Sequence, residues 1–506
     1  MNLDEKIGRL FVIPAHGRFL NERSRAYREL VRHVTENHAG GVIWFASGIF
    51  ETAFLNARLQ SLAKRPLLIS ADLESGLGMR FPDATWWPPA MAVSDLGLIE
   101  EQGRITAIEA QAVGIQQILA PVADVNVDRD NPVINTRSYG DDPYEVARRI
   151  TAFIDGVQNA GALATAKHFP GHGDTRVDSH RALPLLDVDR DRLERVELVP
   201  FRAAIEANVA SIMIGHLAVP SLDPTPAPVR THFENAYGTH REEVPRSATI
   251  PATLSQPIVT GLLRRELGYD GLVITDAMDM GGLAAHFEPG EAAVRAIEAG
   301  NDQILYSADT DAAMAAVRHA VRSGRIAEAR IDESFERIDR IAAVRGASFE
   351  EISRIVDRPE HVAVAEEIAR RAVRVVRDER GLLPLRTRPT AVIVSDWPEE
   401  NQLVEAVRLL DPREVFTIDS RSREQEIEGD VIVMLLALRP RSGAGRIAMP
   451  MDARRLADRH GRRMIAISFG SPYVVHALES VSTYVDAYGI QPVMQRAAVS
   501  VVRAGS

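Results

Sequence analysis

The feature that most constrains the fold is a series of eight short apolar runs, separated by longer stretches with helical periodicity. The runs are rich in Val, Ile, Leu or Ala, which is typical of strands buried on both faces of a sheet. Between them lie amphipathic stretches such as Arg190–Ala207 and Glu291–Ala299. This alternation predicts a parallel sheet closed as a (β/α)8 TIM-type barrel, and the count of eight favours it over an open doubly wound sheet. The eight runs are Gly8–Ala15, Gly41–Phe45, Leu67–Asp72, Ile118–Val125, Ala162–His168, Ser211–His216, Leu272–Asp276 and Gln303–Tyr306.

A second alternating pattern follows the predicted barrel. Arg325–Ala347 reads as the last barrel helix, and the polar stretch Ser348–Glu360, which contains Pro359, reads as a linker. We therefore predict a catalytic barrel over 1–347, a linker over 348–360 and a smaller α/β domain, an αβα sandwich, over 361–506. No phosphate-binding loop of the GxxxxGK[ST] or GxGxxG type occurs in this second part. Its five apolar runs are Ala391–Ser395, Val415–Ile418, Val431–Leu436, Met464–Ser468 and Thr483–Ala487.

Charge and composition exclude several classes of protein. The net charge is −11, with 70 acidic against 59 basic residues, which disfavours nucleic acid or an anionic membrane as the main partner. The sequence contains no Cys, so disulfides, thiolate zinc sites and thiol catalysis are excluded. The start MNLDEKIGRLFVIPAHG lacks the pattern of a signal peptide, and no apolar run is long enough to span a membrane. We therefore expect a soluble, cytoplasmic protein.

Ionisable residues end five of the eight predicted strands, whose interiors are almost wholly apolar. Catalytic groups of barrel enzymes lie at the carboxyl ends of the strands, where the loops to the following helices begin. A single polar residue there often does no more than meet solvent, whereas five together predict a pocket of titratable groups. The strand ends carry Asp72, Asp124, Lys167 with His168, His216 and Asp276. The Pro-rich and then charged stretch Asp223–Ser247 suits a long loop above this mouth of the barrel.

The densest polar segment is Lys167–His180, KHFPGHGDTRVDSH, with three His and two Asp after its opening Lys. Its His and Asp side chains are competent metal ligands, so a metal site is one interpretation. General acid/base catalysis is a second, because the i,i+2 spacing of Asp178 and His180 places both side chains on one face of an extended loop. The carboxylate would then orient the imidazole and stabilise its protonated form. A third interpretation is a surface loop whose histidines have ordinary hydrogen-bond partners. The spacing alone leaves all three interpretations open.

At this segment the chain resembles glycoside hydrolase family 3, specifically its β-N-acetylglucosaminidase branch. The signature is KHFPGHGDT followed by Asp178-Ser-His180. One departure is Ala71-Asp-Leu-Glu-Ser-Gly, where the family more often has Asp-Gln-Glu-Gly-Gly. Further matching stretches are ADLE from Ala71, APVADVN from Ala120, NTRSYG from Asn135, PATLS from Pro251 and GLVITDAMDM from Gly271.

The resemblance implies a role for each matching residue. Asp276 matches the catalytic nucleophile, His180 the acid/base and Asp178 its partner. Asp279 is a rival nucleophile, but Asp276 directly ends the strand. The resemblance implies neither a metal nor another cofactor. The positions implied to hold the sugar are Asp72, Arg80, Arg137, Lys167 and His168.

The implied activity is a retaining β-N-acetylglucosaminidase. Such an enzyme would release terminal β-linked N-acetylglucosamine from peptidoglycan fragments or chito-oligosaccharides through a covalent glycosyl-Asp intermediate. Because a histidine acid/base leaves room for an anion, a phosphorolytic variant that releases the sugar 1-phosphate is an alternative. A β-glucosidase of the same family, a metal-dependent hydrolase and a non-catalytic sugar-binding protein are further alternatives.

Overall fold

A computed structural model describes residues 1–17, 21–231, 233, 238, 248–340, 346–395, 402–418, 427 and 429–505. Its first part is a ring of eight parallel strands in the order β7-β6-β5-β4-β3-β2-β1-β8, closed by a bridge between Ile274 and Gln303. Each of the eight apolar runs overlaps a strand, although the run Ile118–Val125 shares only Ile118 with its strand, and the predicted barrel is confirmed. The strands are β1 Phe11–Ala15, β2 Gly41–Trp44, β3 Leu68–Ala71, β4 Gln117–Ile118, β5 Leu163–Phe169, β6 Ser211–Ile214, β7 Leu272–Thr275 and β8 Ile304–Leu305.

Side chains that point into the ring fill it, as expected for a packed barrel core. One apolar layer consists of six side chains from different positions around the ring. It closes the floor of the barrel below the carboxyl ends of the strands. This layer consists of Val12, Ile43, Leu119, Met213, Ile274 and Leu305.

Helices surround the ring and begin at recognisable caps. Asp142 caps α5 by accepting from the backbone N–H groups of Tyr144 and Glu145, and Pro143 occupies the first turn. The amphipathic stretch 190–207 forms two helices rather than one. A π-helical segment covers Pro257–Glu266. The helices of this part are α1 Leu3–Arg9, α2 Arg25–Thr35, α3 Ile49–Leu62, α4 Leu96–Ala112, α5 Pro143–Asn159, α6 Arg190–Arg195, α7 Leu198–Glu206, α8 Gly281–Ala284, α9 Pro289–Ala299, α10 Thr310–Arg322 and α11 Glu328–Asp339.

The second part is a six-stranded sheet in the order β11-β10-β12-β13-β14-β9. The five predicted runs form its parallel strands, and the sixth strand, β9, pairs antiparallel with β14 at one edge. The strands are β9 Arg374–Asp378, β10 Ala391–Ser395, β11 Glu414–Thr417, β12 Ile432–Leu436, β13 Met464–Ser468 and β14 Thr483–Asp486. The helices are α12 Phe349–Ile355, α13 Pro359–Ala372, α14 Val404–Leu410, α15 Met451–His460 and α16 Pro492–Ala504.

The segment 348–360, expected to be a polar linker, carries helix α12. Ser348 and Glu351 form a capping box at its start, which explains why a polar stretch is helical. Both α12 and α13 pack on α4 of the barrel. Part of the expected last barrel helix (341–345) and most of the loop expected over 223–247 lie outside the described residues. No helix in the described ranges is long and apolar enough to cross a membrane.

Candidate active site

A cavity of about 630 Å³ opens at the carboxyl ends of the barrel strands. The loops after β3, β5 and β7 contribute its polar floor, as expected for a barrel enzyme. The second part of the chain forms the opposite wall, so both parts enclose the same space. The cavity is lined by seven of the eight residues assigned to the site from sequence, namely Asp72, Arg80, Arg137, Lys167, His168, His180 and Asp276, and Asp178 lies directly behind His180.

Asp72 lies just past the end of β3 and binds two cations. Its Oδ2 accepts from Arg80 Nη2 at 2.6 Å, and its Oδ1 accepts from Lys167 Nζ at 2.8 Å. Burial alone would raise the pKa of Asp72, but the positive charges of Lys167 and Arg80 lower it to about 2. An ionised carboxylate held in this way is able to accept hydrogen bonds from sugar hydroxyl groups.

Glu74 completes this charged cluster. It was missed as a site residue, although it is the last residue of the stretch ADLE that begins at Ala71. Its carboxylate accepts two parallel hydrogen bonds from Arg137, at 2.8 and 2.7 Å, and forms an ion pair with Lys167 at 2.7 Å. Burial opposes ionisation, yet Arg137 and Lys167 hold the pKa of Glu74 well below its ordinary value. The Lys167 side chain is only 2% exposed, so one buried ammonium joins two carboxylates.

Asp124 orients His168 and was also missed as a site residue, although its place at a strand end was noted. Its Oδ2 lies 2.7 Å from His168 Nδ1. Its Oδ1 accepts from the backbone N–H groups of His168 and His172, at 3.2 and 2.6 Å. Asp124 is fully buried, so it fixes both the imidazole and the backbone that leads into the loop.

His172 lines the cavity beside His168, and both of its ring nitrogens have hydroxyl partners within the loop. Its two ring nitrogens lie 2.7 Å from Thr175 Oγ1 and 3.2 Å from Ser179 Oγ. Burial lowers the pKa of His172 to about 4, so the ring is neutral at neutral pH. A neutral imidazole between two hydroxyl groups holds the loop together.

Asp276 follows the last residue of β7 and lines the cavity. Burial would raise its pKa, but His168, His216 and the backbone N–H of Ala277, which donates to Oδ1 at 2.8 Å, lower it. Burial instead raises the pKa of the rival carboxyl, Asp279, to about 6. Asp276 is therefore the ionised carboxylate at the cavity floor.

The Asp178–His180 pair has the geometry that the i,i+2 spacing indicated. Asp178 Oδ1 lies 2.7 Å from His180 Nδ1 and accepts from the His180 backbone N–H at 2.9 Å. Asp178 Oδ2 accepts from the backbone N–H of Gly443 at 2.8 Å. These hydrogen bonds outweigh the effect of burial and lower the pKa of Asp178. The His180 ring lines the cavity, with a carboxylate behind its Nδ1.

The wall opposite the barrel comes from loops that follow the strands of the second sheet. Sequence reasoning missed this wall, because no pattern in the sequence indicates how two domains are arranged. Arg439 Nη2 donates to Gln402 Oε1 at 2.9 Å, which supports one part of it. Tyr473 Oη accepts from Asn126 of the barrel at 3.3 Å. The wall is formed by Gln402, Arg439, Pro440, Arg441, Ser442, Tyr488, Gly489, Ile490 and Gln491.

The side chains considered as metal ligands have separate partners. Asp174 pairs with Arg192 at 3.1 Å, His168 with Asp124 and His180 with Asp178. In the described part of the chain no three His, Asp or Glu side chains converge as a ligand set. The arrangement instead supplies an ionised carboxylate, an imidazole with a carboxylate behind it and a cluster of charged hydrogen-bonding groups.

Residues 2–341 match the family described as glycosyl hydrolase family 3 N terminal domain. The β-N-acetylglucosaminidase/β-glucosidase of Cellulomonas fimi is 29% identical over 535 residues, covering 98% of this chain and 90% of that protein. The β-hexosaminidase A of Pseudoalteromonas piscicida is 33% identical over 389 residues, covering 71% of this chain and 62% of that protein. The solved structure of a glycoside hydrolase family 3 β-N-acetylglucosaminidase from Paenibacillus sp. str. FPU-7 superposes with a TM-score of 0.82 at 31% identity, covering 99% of this chain and 97% of the other.

The match covers the whole barrel, and the structural likeness extends over both domains. The resemblance carried by the motifs at Asp72, His180 and Asp276 is thereby confirmed. The chain belongs to glycoside hydrolase family 3.

Proposed function

We propose that the protein is a retaining β-N-acetylglucosaminidase in which Asp276 is the nucleophile and His180 the acid/base. One observation carries the proposal: His180, backed by Asp178 at 2.7 Å, and the ionised Asp276 open onto the same cavity. The relatives named β-N-acetylglucosaminidase and β-hexosaminidase support the choice of sugar.

In the first step Asp276 attacks the anomeric carbon of the terminal sugar, and the bond from that carbon to the leaving oxygen breaks. His180 donates the proton that the leaving oxygen takes up, and Asp178 stabilises the imidazolium before this transfer. In the second step the neutral His180 takes a proton from water, and the water oxygen displaces Asp276 from the anomeric carbon. An imidazole suits both steps, because the same ring nitrogen can donate a proton in the first step and accept one in the second.

The charged cluster beside these groups serves as the sugar site. Asp72 and Glu74 present carboxylate oxygens, and Arg80, Arg137 and Lys167 present donors.

His168 is held by Asp124 with its second ring nitrogen free to face a ligand oxygen. Donors and acceptors fixed by ion pairs discriminate the hydroxyl and N-acetyl groups of a sugar without having to reorganise when it binds.

Within this proposal the natural substrates are peptidoglycan fragments or chito-oligosaccharides that end in β-linked N-acetylglucosamine, cleaved in the cytoplasm. Such a substrate extends from the enclosed sugar site towards the wall that the second domain forms. A panel of p-nitrophenyl sugars tests the choice of sugar, and a preference for the glucoside over the N-acetylglucosaminide would contradict it.

The catalytic assignment is tested with Asp276→Ala and His180→Ala. We expect Asp276→Ala to lower kcat by at least about 10⁴-fold, because the covalent nucleophile is lost. We expect His180→Ala to cost about 10²–10⁴-fold with a poor leaving group and much less with an activated aryl group, which needs little protonation. Asp279→Asn is the matched control. Greater loss in Asp279→Asn than in Asp276→Ala would reverse the assignment.

Phosphorolysis is a second candidate, because two arginines, Arg439 and Arg441, line the cavity wall across from His180. An imidazole leaves this space without the negative charge of a carboxylate acid/base, so phosphate would meet less repulsion there. Phosphate would then replace water in the second step, and the product would be N-acetylglucosamine 1-phosphate. Product analysis with and without phosphate decides between the two, and Arg441→Ala should lower the phosphate-dependent rate selectively.

A further inference from the structure

The second domain contributes a hydrogen bond to the acid/base pair itself. Asp178 is buried, and its Oδ1 already accepts from two N–H groups of His180. Its Oδ2 accepts at 2.8 Å from the backbone N–H of Gly443, which lies 265 residues later in the chain. The two oxygens of one carboxylate are thus held by different domains.

This arrangement fixes the rotation of the Asp178 carboxylate. A carboxylate held through one oxygen turns about its Cβ–Cγ bond, because this terminal torsion is broad. With Oδ2 bound to Gly443, Oδ1 is directed at His180 Nδ1, so the His180 ring that lines the cavity is held through this nitrogen. The donor also stabilises the charge of this buried carboxylate, because the hydrogen bond offsets the unfavourable free energy of removing the charge from water.

The segment 439–445, which follows β12, is held against the loop of the acid/base pair at further points. Gly443 has a φ of +76°, a conformation that glycine adopts without strain, and this directs its N–H towards Asp178. Arg181 Nη1, next to His180 in the chain, approaches Ala444 O at 3.4 Å. A side chain at Gly445 would meet Arg181, since a Cβ there would lie 2.2 Å from Arg181 Nη1.

We propose that the backbone N–H of Gly443 is a positioning group for the acid/base pair, so that the second domain sets the orientation in which His180 delivers its proton. The inference rests on the proposed function, since it concerns the proton transfer assigned to His180. Gly443 acts through Asp178 and touches no reacting atom.

The test compares Gly443→Pro, which removes the N–H and also fixes φ at about −65°, with Gly443→Ala, which keeps the N–H and departs from glycine at a φ of +76°. Each variant is assayed in the full chain with two aryl N-acetylglucosaminides, one with an activated and one with a poor leaving group. We expect Gly443→Pro to lose about tenfold more than Gly443→Ala in kcat/KM with the poor leaving group, because only that substrate depends on the general acid. With the activated substrate the two variants should stay within about threefold of each other, as general acid catalysis contributes little there.

Equal losses with both substrates, or no difference between the two variants, would overturn the inference. Because proline does not adopt a φ of +76°, glycolic acid at position 443, which replaces the N–H by an ester oxygen and keeps the backbone freedom of glycine, must show the same leaving-group effect for the inference to stand. Combining this replacement with Asp178→Ala adds a second criterion: its leaving-group effect should disappear, because the hydrogen bond no longer has an acceptor.

The two proposals fail in different ways. If the unmodified protein does not cleave N-acetylglucosaminides, or if His180→Ala shows no dependence on the leaving group, the proposed function fails. If the unmodified protein cleaves N-acetylglucosaminides and the effect of His180→Ala depends on the leaving group, while Gly443→Pro behaves like Gly443→Ala, only the positioning role is overturned.

Discussion

Lys167 shows how a single side chain organises the sugar site. Its ammonium lies 2.8 Å from Asp72 and 2.7 Å from Glu74, and its side chain is only 2% exposed. Removing a charge from water costs free energy. A charged side chain therefore remains in the interior when the interactions with its partners offset that cost. Here the two carboxylates raise the pKa of Lys167 against the effect of burial, and its charge separates two anions that would otherwise repel each other.

We expect Lys167→Met to lower the free energy of unfolding by about 3 kcal/mol, the lower end of the range for breaking a buried ion pair. The lower end applies because Asp72 keeps Arg80 and Glu74 keeps Arg137. Chemical denaturation measures the change. Lys64→Met is the matched control, since this lysine is 65% exposed and should give little change. A similar loss in the two variants would contradict the role of burial.

His172 leads to an expectation about pH. Its folded pKa of about 4 lies below the ordinary 6.5, so the unfolded chain binds a proton that the folded chain does not. The contribution of His172 to the free energy of unfolding is fully present above about pH 6.5. It is lost as the pH falls towards 4, by about 3 kcal/mol in all. His172→Asn should therefore destabilise the protein more at pH 8 than at pH 5, as measured by denaturation at both values. A difference that does not change with pH would contradict this expectation.

At this scale the sequence predicted the acidic and basic residues that follow strands, because their position is local. Asp72, His168 and Asp276 were identified in this way and His180 by its i,i+2 spacing with Asp178, and all four line the cavity. Glu74 was missed because its partners, Arg137 and Lys167, are brought to it by the closed barrel and not by their spacing in the sequence.

Among the elements, the loop after β5 contains a close contact between two backbone segments. Gly173 lies against the strand-end segment of Val125, where a Cβ would be 1.7 Å from the Val125 carbonyl oxygen. A backbone carbonyl has little freedom to move away. This glycine therefore fixes the start of the loop that ends with Asp178 and His180.

Gly173→Ala should move the loop, lower kcat at least about tenfold through the lost alignment of His180 and destabilise the fold by about 1–3 kcal/mol, as overpacking does. Steady-state kinetics and thermal unfolding measure the two effects. Gly97→Ala in α4 is the control, because the nearest atom to its Cβ is 3.4 Å away. An active, stable Gly173→Ala enzyme would show that the loop tolerates displacement.

Most strands of both domains were predictable because each is a short run of apolar residues buried on both faces. The edge strand β11 is largely exposed but still carries the apolar pair Val415 and Phe416. By contrast, β9 alternates between exposed and half-buried residues and carries three charges in Arg374–Asp378, so it lacks that signal. Its antiparallel pairing with β14 at the sheet edge fits this pattern, since an edge strand is buried on fewer sides. The helix within 348–360 was missed because it depends on a capping box and on packing against α4.

At the scale of the whole molecule, Glu109 joins the barrel to the second domain. This buried carboxylate on α4 accepts from Thr85 Oγ1 at 2.6 Å and from the Asp357 backbone at 3.0 Å. Its Oε1 also lies 2.7 Å from Nδ1 of His361 on α13. Donors from the barrel and from the segment that leads into the second domain therefore share one acceptor.

Glu109→Ala should lower the free energy of unfolding by about 3 kcal/mol or more, because several buried donors lose their acceptor at about 1–3 kcal/mol each. It should also loosen the second domain on the barrel, which calorimetry would detect as separation of the unfolding transition into two. Glu109→Gln, which keeps an acceptor oxygen, should lose less. A single unshifted transition in Glu109→Ala would show that the domains are held by other contacts.

The two-sided cavity also has a consequence for protein synthesis. The ring of strands is complete at Leu305, whereas the opposite wall begins at Gln402 and ends near Gln491. At the ribosome's rate of about 5–20 residues per second, the later wall emerges several seconds to about half a minute after the ring. Throughout that interval the newly made barrel lacks the opposite wall of its cavity, and the enclosed site exists only when the chain has been translated as far as Gln491.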